Sequence, residues 1–172
     1  MSAKMITTKH HRWIGAIALN FNDLEYYISI MIWHYLGVNE RLGSQITSKM
    51  AFDGCVEFLL VLYEQRAKDK KGKSKLKALM NKAKNLSVKR NQVVHSKYLG
   101  SSEKPPAKDD FIFPVYRAVK NKGARVESIK LSDLKKLNEE FFQLRKSLNE
   151  FLSAYIEVDW KFNSPLKEKI RW

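Results

Sequence analysis

Cysteine occurs once in these 172 residues, at Cys55, so no disulfide can form within the chain. That usage is expected of a protein kept in a reducing cytoplasm. Cys55 lies inside an apolar helical pattern and reads as a small buried hydrophobe. Acid is scarce too: 18 Asp and Glu stand against 32 Lys and Arg, a formal net charge of +14. Long hydrophobic runs are missing. The stretch from Tyr26 to Leu36 is interrupted by His34 and is too short to span a bilayer, and the N-terminal residues contain no apolar core of signal-peptide length, so no membrane partner and no leader are expected. Metal-spaced His and Cys clusters, phosphate-cradling glycine loops and nucleophile elbows are all absent, which excludes zinc, P-loop and α/β-hydrolase chemistry and leaves no cofactor to expect.

What is present is a folded, basic protein. At 172 residues, 44% hydrophobic and 29% charged, the chain is long enough to bury a core as one domain. From Arg66 to Arg90 there are eleven Lys and Arg against the single acid Asp69. Such a concentration suits a polyanion, because neutralising phosphates releases counterions; it also suits a solvated lysine face that keeps the protein soluble.

Periodicity predicts an all-α fold, an up-and-down helical bundle of about four main helices with a small β-hairpin between the last two. The first helix runs from about His10 to Leu36 and is apolar on two faces, Trp13, Ile17, Leu24, Tyr27, Met31 and Tyr35 on one, Leu19, Tyr26, Ile30 and Trp33 on the other. Two apolar faces need two neighbours, the chain's own bundle and a second subunit. Gly37 ends this helix, and a short polar link through Asn39 and Gly43 leads to a second helix over about Met50 to Gln65, capped by Ser48, with Phe52, Cys55, Phe58, Leu59 and Leu62 as core. The connection turns near Gly72, and a third helix starts at Ser74 and runs to about Lys97. The stretch 111–130 reads as a hairpin turning at Asn121-Lys122-Gly123, with Pro114 confining its strand to an edge. The last helix, from about Ser132 to Glu157, has a narrow seam of Leu134, Leu137, Phe141, Leu144, Leu148, Phe151 and Tyr155. The domain is expected to cover 1–157, followed by a basic, aromatic tail over 158–172.

One stretch breaks its own pattern. At about 100° per residue, Leu76, Leu79, Met80, Ala83, Arg90 and Val94 share one stripe of the third helix, with Asn91 at its edge and His95 about 140° from Arg90. A guanidinium cannot shed its charge, so something polar must meet Arg90 on that face. Two readings stand. Arg90 pairs with a carboxylate such as Glu25 or Asp23 while His95 merely caps the helix; or the two form a functional site with Glu25 in support.

Arg90-Asn91-x-x-x-His95, late in a helix of a basic all-helical chain, resembles the R-x-x-x-x-H signature of the HEPN superfamily, and the likeness covers about residues 10–156. The resemblance implies a dimer with both motifs facing across the two-fold axis. Many such proteins are metal-independent ribonucleases of toxin–antitoxin or phage-defence systems, and others only bind RNA or serve as scaffolds. It further implies His95 as acid/base group, Arg90 holding the scissile phosphate, Asn91 orienting them, and a neutralising antitoxin or another defence protein as partner. HEPN toxins silenced by a nucleotidyltransferase often carry tyrosine two residues after the histidine; here that position is Lys97 and the tyrosine is Tyr98, so that regulation is not implied. RNA carries its own nucleophile, the 2′-hydroxyl, and so asks of a protein only a proton-transferring imidazole and a cation. Lys82, Lys84, Lys89, Lys97 and Tyr98, on or just past the same helix, are the expected nucleic-acid contacts.

Overall fold

The computed structural model of the chain describes residues 8–67, 71–95, 97–98, 113–119 and 123–156. The expected loop at 100–106, the Asn121-Lys122 turn and the tail over 158–172 lie outside the described residues. Within them the fold is all-α in character, with five helices: α1 (Thr8–Leu36), α2 (Glu40–Thr47), α3 (Phe52–Arg66), α4 (Lys73–Val94) and α5 (Leu131–Tyr155). Between α4 and α5 the described backbone carries three antiparallel strand segments, β1 (Lys97–Tyr98), β2 (Phe113–Val119) and β3 (Gly123–Ile129), in the order β1-β2-β3. Phe113 stands opposite Ile129, and Val119 opposite Gly123.

The core forms where the apolar stripes meet. Ile17, Leu24 and Met31 of α1 and the α5 seam of Leu134, Phe141, Leu144, Leu148 and Phe151 are all buried, each side chain stabilising the fold by about 1.5–3 kcal/mol. Ring contacts fix the relative directions. Phe21 lies 5.0 Å from Phe52 and Tyr35 lies 5.7 Å from Tyr63, so α1 and α3 run the same way. Phe21 with Phe141 and Tyr63 with Phe151 give α5 that direction too. The pairs Lys73–Glu64 and Lys84–Glu57 make α4 run opposite to α3. The C-terminal end of α4 therefore arrives at Phe21 of α1, beside the start of α3 and the middle of α5, where Lys89 pairs with Glu140.

The stretch expected to be a polar link is a two-turn helix, α2, that packs on α1. Asn39 caps α2, its side chain accepting from the Leu42 N–H at 3.0 Å, and Glu40 sits in its first turn. A helix of eight residues is too short for its periodicity to stand out. Ser48, expected to cap the next helix, ends α2 instead, and Ala51 precedes α3. Gly37 takes φ +69° where the chain leaves α1, as a terminating glycine should.

α2 covers Trp33, whose Nε1 donates to Thr47 Oγ1 at 3.3 Å. Part of the second face of α1 is thus buried by the chain's own α2 rather than left for another subunit. Leu19 and Tyr26 remain on that face, 68% and 51% exposed.

Candidate functional site: the C-terminal end of α4

The buried stripe of α4 is Leu76, Met80, Ala83, Leu86, Ser87 and Val93, with Leu79 and Val94 only half-buried. Arg90 sits half-buried within this stripe near the C-terminal end of the helix, over an aromatic face: its guanidinium carbon lies 4.7 Å from the centre of the buried Phe21 ring. The ring's negative face supplies part of what a trapped cation needs. Its neighbours in sequence supply more. Nη1 of Arg90 donates to Asn91 Oδ1 at 2.9 Å and lies 3.2 Å from His95 Nε2. The three residues of the motif thus meet at one nitrogen.

The helix end makes this contact possible. On an ideal helix His95 would point about 140° away from Arg90. But α4 stops at Val94, and His95 is the C-cap with φ −97° and ψ 8°, its backbone N–H donating to Asn91 O at 3.1 Å. Leaving helical geometry there lets the imidazole turn back toward the long Arg90 side chain. His95 remains exposed to solvent.

Hydrogen-bond logic assigns the tautomer. A guanidinium nitrogen only donates, so Nε2 of His95 must accept, and the neutral ring then carries its proton on Nδ1. The nitrogen with the free electron pair is the one aimed at the cation. Arg90 Nε is buried without a hydrogen-bond partner among the described residues, an unsatisfied donor at the same place.

The carboxylate expected for Arg90 is not in contact. Asp23 is taken by Arg145 of α5 at 2.6 Å. Glu25 acts on Arg90 only at longer range: burial raises its carboxyl above the usual range, and the Arg90 charge partly offsets this. Among the described residues Arg90 forms no carboxylate ion pair, with Asp23, Glu25 or any other acid.

Of the expected nucleic-acid contacts, Lys84 is paired with Glu57 at 2.9 Å and Lys89 with Glu140 at 2.7 Å. Both pairs are at the surface, where such contacts contribute little and yield readily to a competing anion. Lys82 is exposed, and the side chains of Lys97 and Tyr98 lie outside the described residues. Phe21 was missed in the sequence, although it stands four residues after Ile17 and three before Leu24, a spacing that places it on the core face. No signal in the sequence pairs Arg145 with Asp23. Among the described residues no group of three or more His, Cys, Asp or Glu side chains is placed to hold a metal ion, and no helix is long and apolar enough to cross a membrane.

No family model, no curated protein and no solved structure matches this chain.

Proposed function

We propose that the chain is a metal-independent endoribonuclease of HEPN type, in a toxin–antitoxin or phage-defence role, with its site at the end of α4. The observation that carries the proposal is the meeting of Asn91 Oδ1 and Nε2 of the solvent-exposed His95 at one nitrogen of Arg90. An imidazole with its free electron pair turned toward a permanent cation suits a reaction in which a proton leaves a hydroxyl while charge builds on a neighbouring phosphate.

In the proposed reaction Arg90 swings its Nη1 from His95 to a phosphate oxygen, freeing Nε2. His95 then takes the proton of the ribose 2′-hydroxyl, whose oxygen attacks the adjacent phosphorus. The bond to the 5′-oxygen breaks, and that oxygen leaves with a proton from a second acid. Products are a 2′,3′-cyclic phosphate and a 5′-hydroxyl. Arg90 offsets the charge developing on the phosphoryl oxygens, and Asn91 holds the guanidinium in place. One His95 cannot be base and acid in the same step, so the second acid is His95 of a second copy.

The proposed assembly is an up-and-down bundle with the β2–β3 hairpin beside the motif helix, paired as a homodimer. Val88, 56% exposed two residues before Arg90, and the exposed Leu19 and Tyr26 are the apolar surface such pairing would bury.

A second proposal, an RNA-binding or scaffold dimer without turnover, is supported by the basic face of α4, where Lys82 is exposed and Lys84 and Lys89 are held only by surface ion pairs that yield readily to a competing anion. Single-stranded RNA incubated with the protein in EDTA separates the two. Cleavage lost in both His95→Ala and Arg90→Ala supports the ribonuclease; salt-sensitive binding of intact RNA supports the binder.

A further inference from the structure

A cleft of about 330 Å³ opens between α1, α2 and the start of α3, adjoining the proposed site. Phe52 in its wall packs on Phe21 at 5.0 Å, and Phe21 is the ring under the Arg90 guanidinium. Glu25, also in the wall, is close enough for its carboxyl to feel the Arg90 charge.

Acceptors predominate among the polar atoms of this wall. Ser44 Oγ donates its proton to Arg41 O at 3.1 Å, Ser48 Oγ to Gln45 O at 3.2 Å, and Thr47 Oγ1 to Gly43 O at 3.1 Å. With those protons committed to helix carbonyls, Ser44 and Ser48 turn lone pairs outward; Thr47 Oγ1 also accepts from Trp33 Nε1, the Ser29 hydroxyl lines the same wall, and the Glu25 carboxylate adds two acceptor oxygens. Ile28, Met50 and Phe52 give the cleft an apolar lining. Cys55 joins them as a neutral thiol, its ionisation pushed up by burial. A wall of acceptors over an apolar floor selects a flat apolar body with donors along one edge.

We propose that this cleft is the base-binding subsite of the ribonuclease and takes a guanine next to the scissile phosphate. Guanine presents N1–H and N2–H₂ side by side, a pair that matches the fork of a carboxylate. Adenine and cytosine place a ring acceptor beside their single amine, and uracil flanks its single N–H with two carbonyls. Each of those three would set an acceptor against the acceptors of the wall. Recognition through the Watson–Crick edge with stacking on an aromatic side chain is how proteins commonly read unpaired bases in RNA.

The subsite rests on the ribonuclease reading, and its test is chosen to stand apart from turnover. The 3′-monophosphates of guanosine, adenosine, cytidine and uridine are titrated by calorimetry into His95→Ala protein, which needs no catalysis to bind them. The guanosine nucleotide is expected to bind about tenfold or more tighter than the other three. Glu25→Gln, which replaces one acceptor oxygen with a donor, is expected to erase that preference. Ser48→Trp, an exposed position in the cleft wall, fills the cleft and is expected to weaken the guanosine nucleotide while leaving Glu25 in place. Equal affinity for the four nucleotides, or a preference that survives Glu25→Gln, overturns the subsite. RNA left intact by wild-type protein that still prefers the guanosine nucleotide would remove the ribonuclease and keep the cleft as a guanine site. Cleavage with no base preference would do the reverse.

Discussion

Arg90 Nη1 lies 3.2 Å from His95 Nε2, and the same nitrogen donates to Asn91 Oδ1 at 2.9 Å. Two acceptors at one donor nitrogen use both of its protons, which a planar guanidinium directs at fixed angles. Lysine offers a point charge with no such fork. Arg90→Lys is therefore expected to keep the charge and lose the bridge, lowering RNA cleavage about 10²–10³-fold with little change in thermal midpoint. Cleavage by Arg90→Lys within a few-fold of wild type would mean that charge alone suffices.

Two His95 groups at one site give a quantitative signature. If base and acid come from different copies, a dimer with one His95→Ala subunit is inactive. Mixing and re-equilibrating wild type with His95→Ala should then lower cleavage as the square of the wild-type fraction. A linear decline would place the whole reaction within one chain.

Glu25 gives a pH-dependent stability. Burial raises its carboxyl, and this outweighs the lowering effect of Arg90. A carboxyl raised in the folded state binds its proton more tightly there than in the unfolded chain, so stability is lost as pH rises through that range. Glu25→Gln, always neutral, should be the more stable protein at neutral pH, and the two thermal midpoints should converge as the pH is lowered past carboxyl titration. A less stable Glu25→Gln at pH 7 would show that attraction to Arg90 prevails over desolvation.

Gly43 tests the seat of α2. A Cβ there would collide with the Trp33 ring, which is buried and held through Thr47. Alanine normally improves a helix over glycine by up to about 1 kcal/mol; overpacking a rigid ring costs about 1–3 kcal/mol. Gly43→Ala should lower the thermal midpoint by a few degrees, and a raised midpoint would contradict the packing of α2 on Trp33.

Much of the helical framework was legible because long periodic segments declare themselves. The α5 seam is buried at Leu134, Leu137, Phe141, Leu144, Leu148 and Phe151, as its spacing requires, and Tyr155 packs on Phe151 at 4.8 Å. α2 was not legible, since two turns give periodicity nothing to repeat, and so the cover over Trp33 was invisible. The presence of Arg90 on an apolar stripe announced that something polar must meet it. What meets it could not be read, because Phe21 comes from another helix and His95 reaches back only after the backbone leaves helical angles. Nor could the sequence say that Asp23 would be claimed by Arg145, which leaves Glu25 with the cleft.

The most direct measurement is incubation of purified protein with a defined single-stranded RNA in EDTA, with the termini of any fragments identified. Wild type is expected to produce fragments ending in 2′,3′-cyclic phosphate and beginning with 5′-hydroxyl, and His95→Ala to produce none. RNA that stays intact with folded wild-type protein, or cleavage undiminished in His95→Ala, would contradict the proposed ribonuclease.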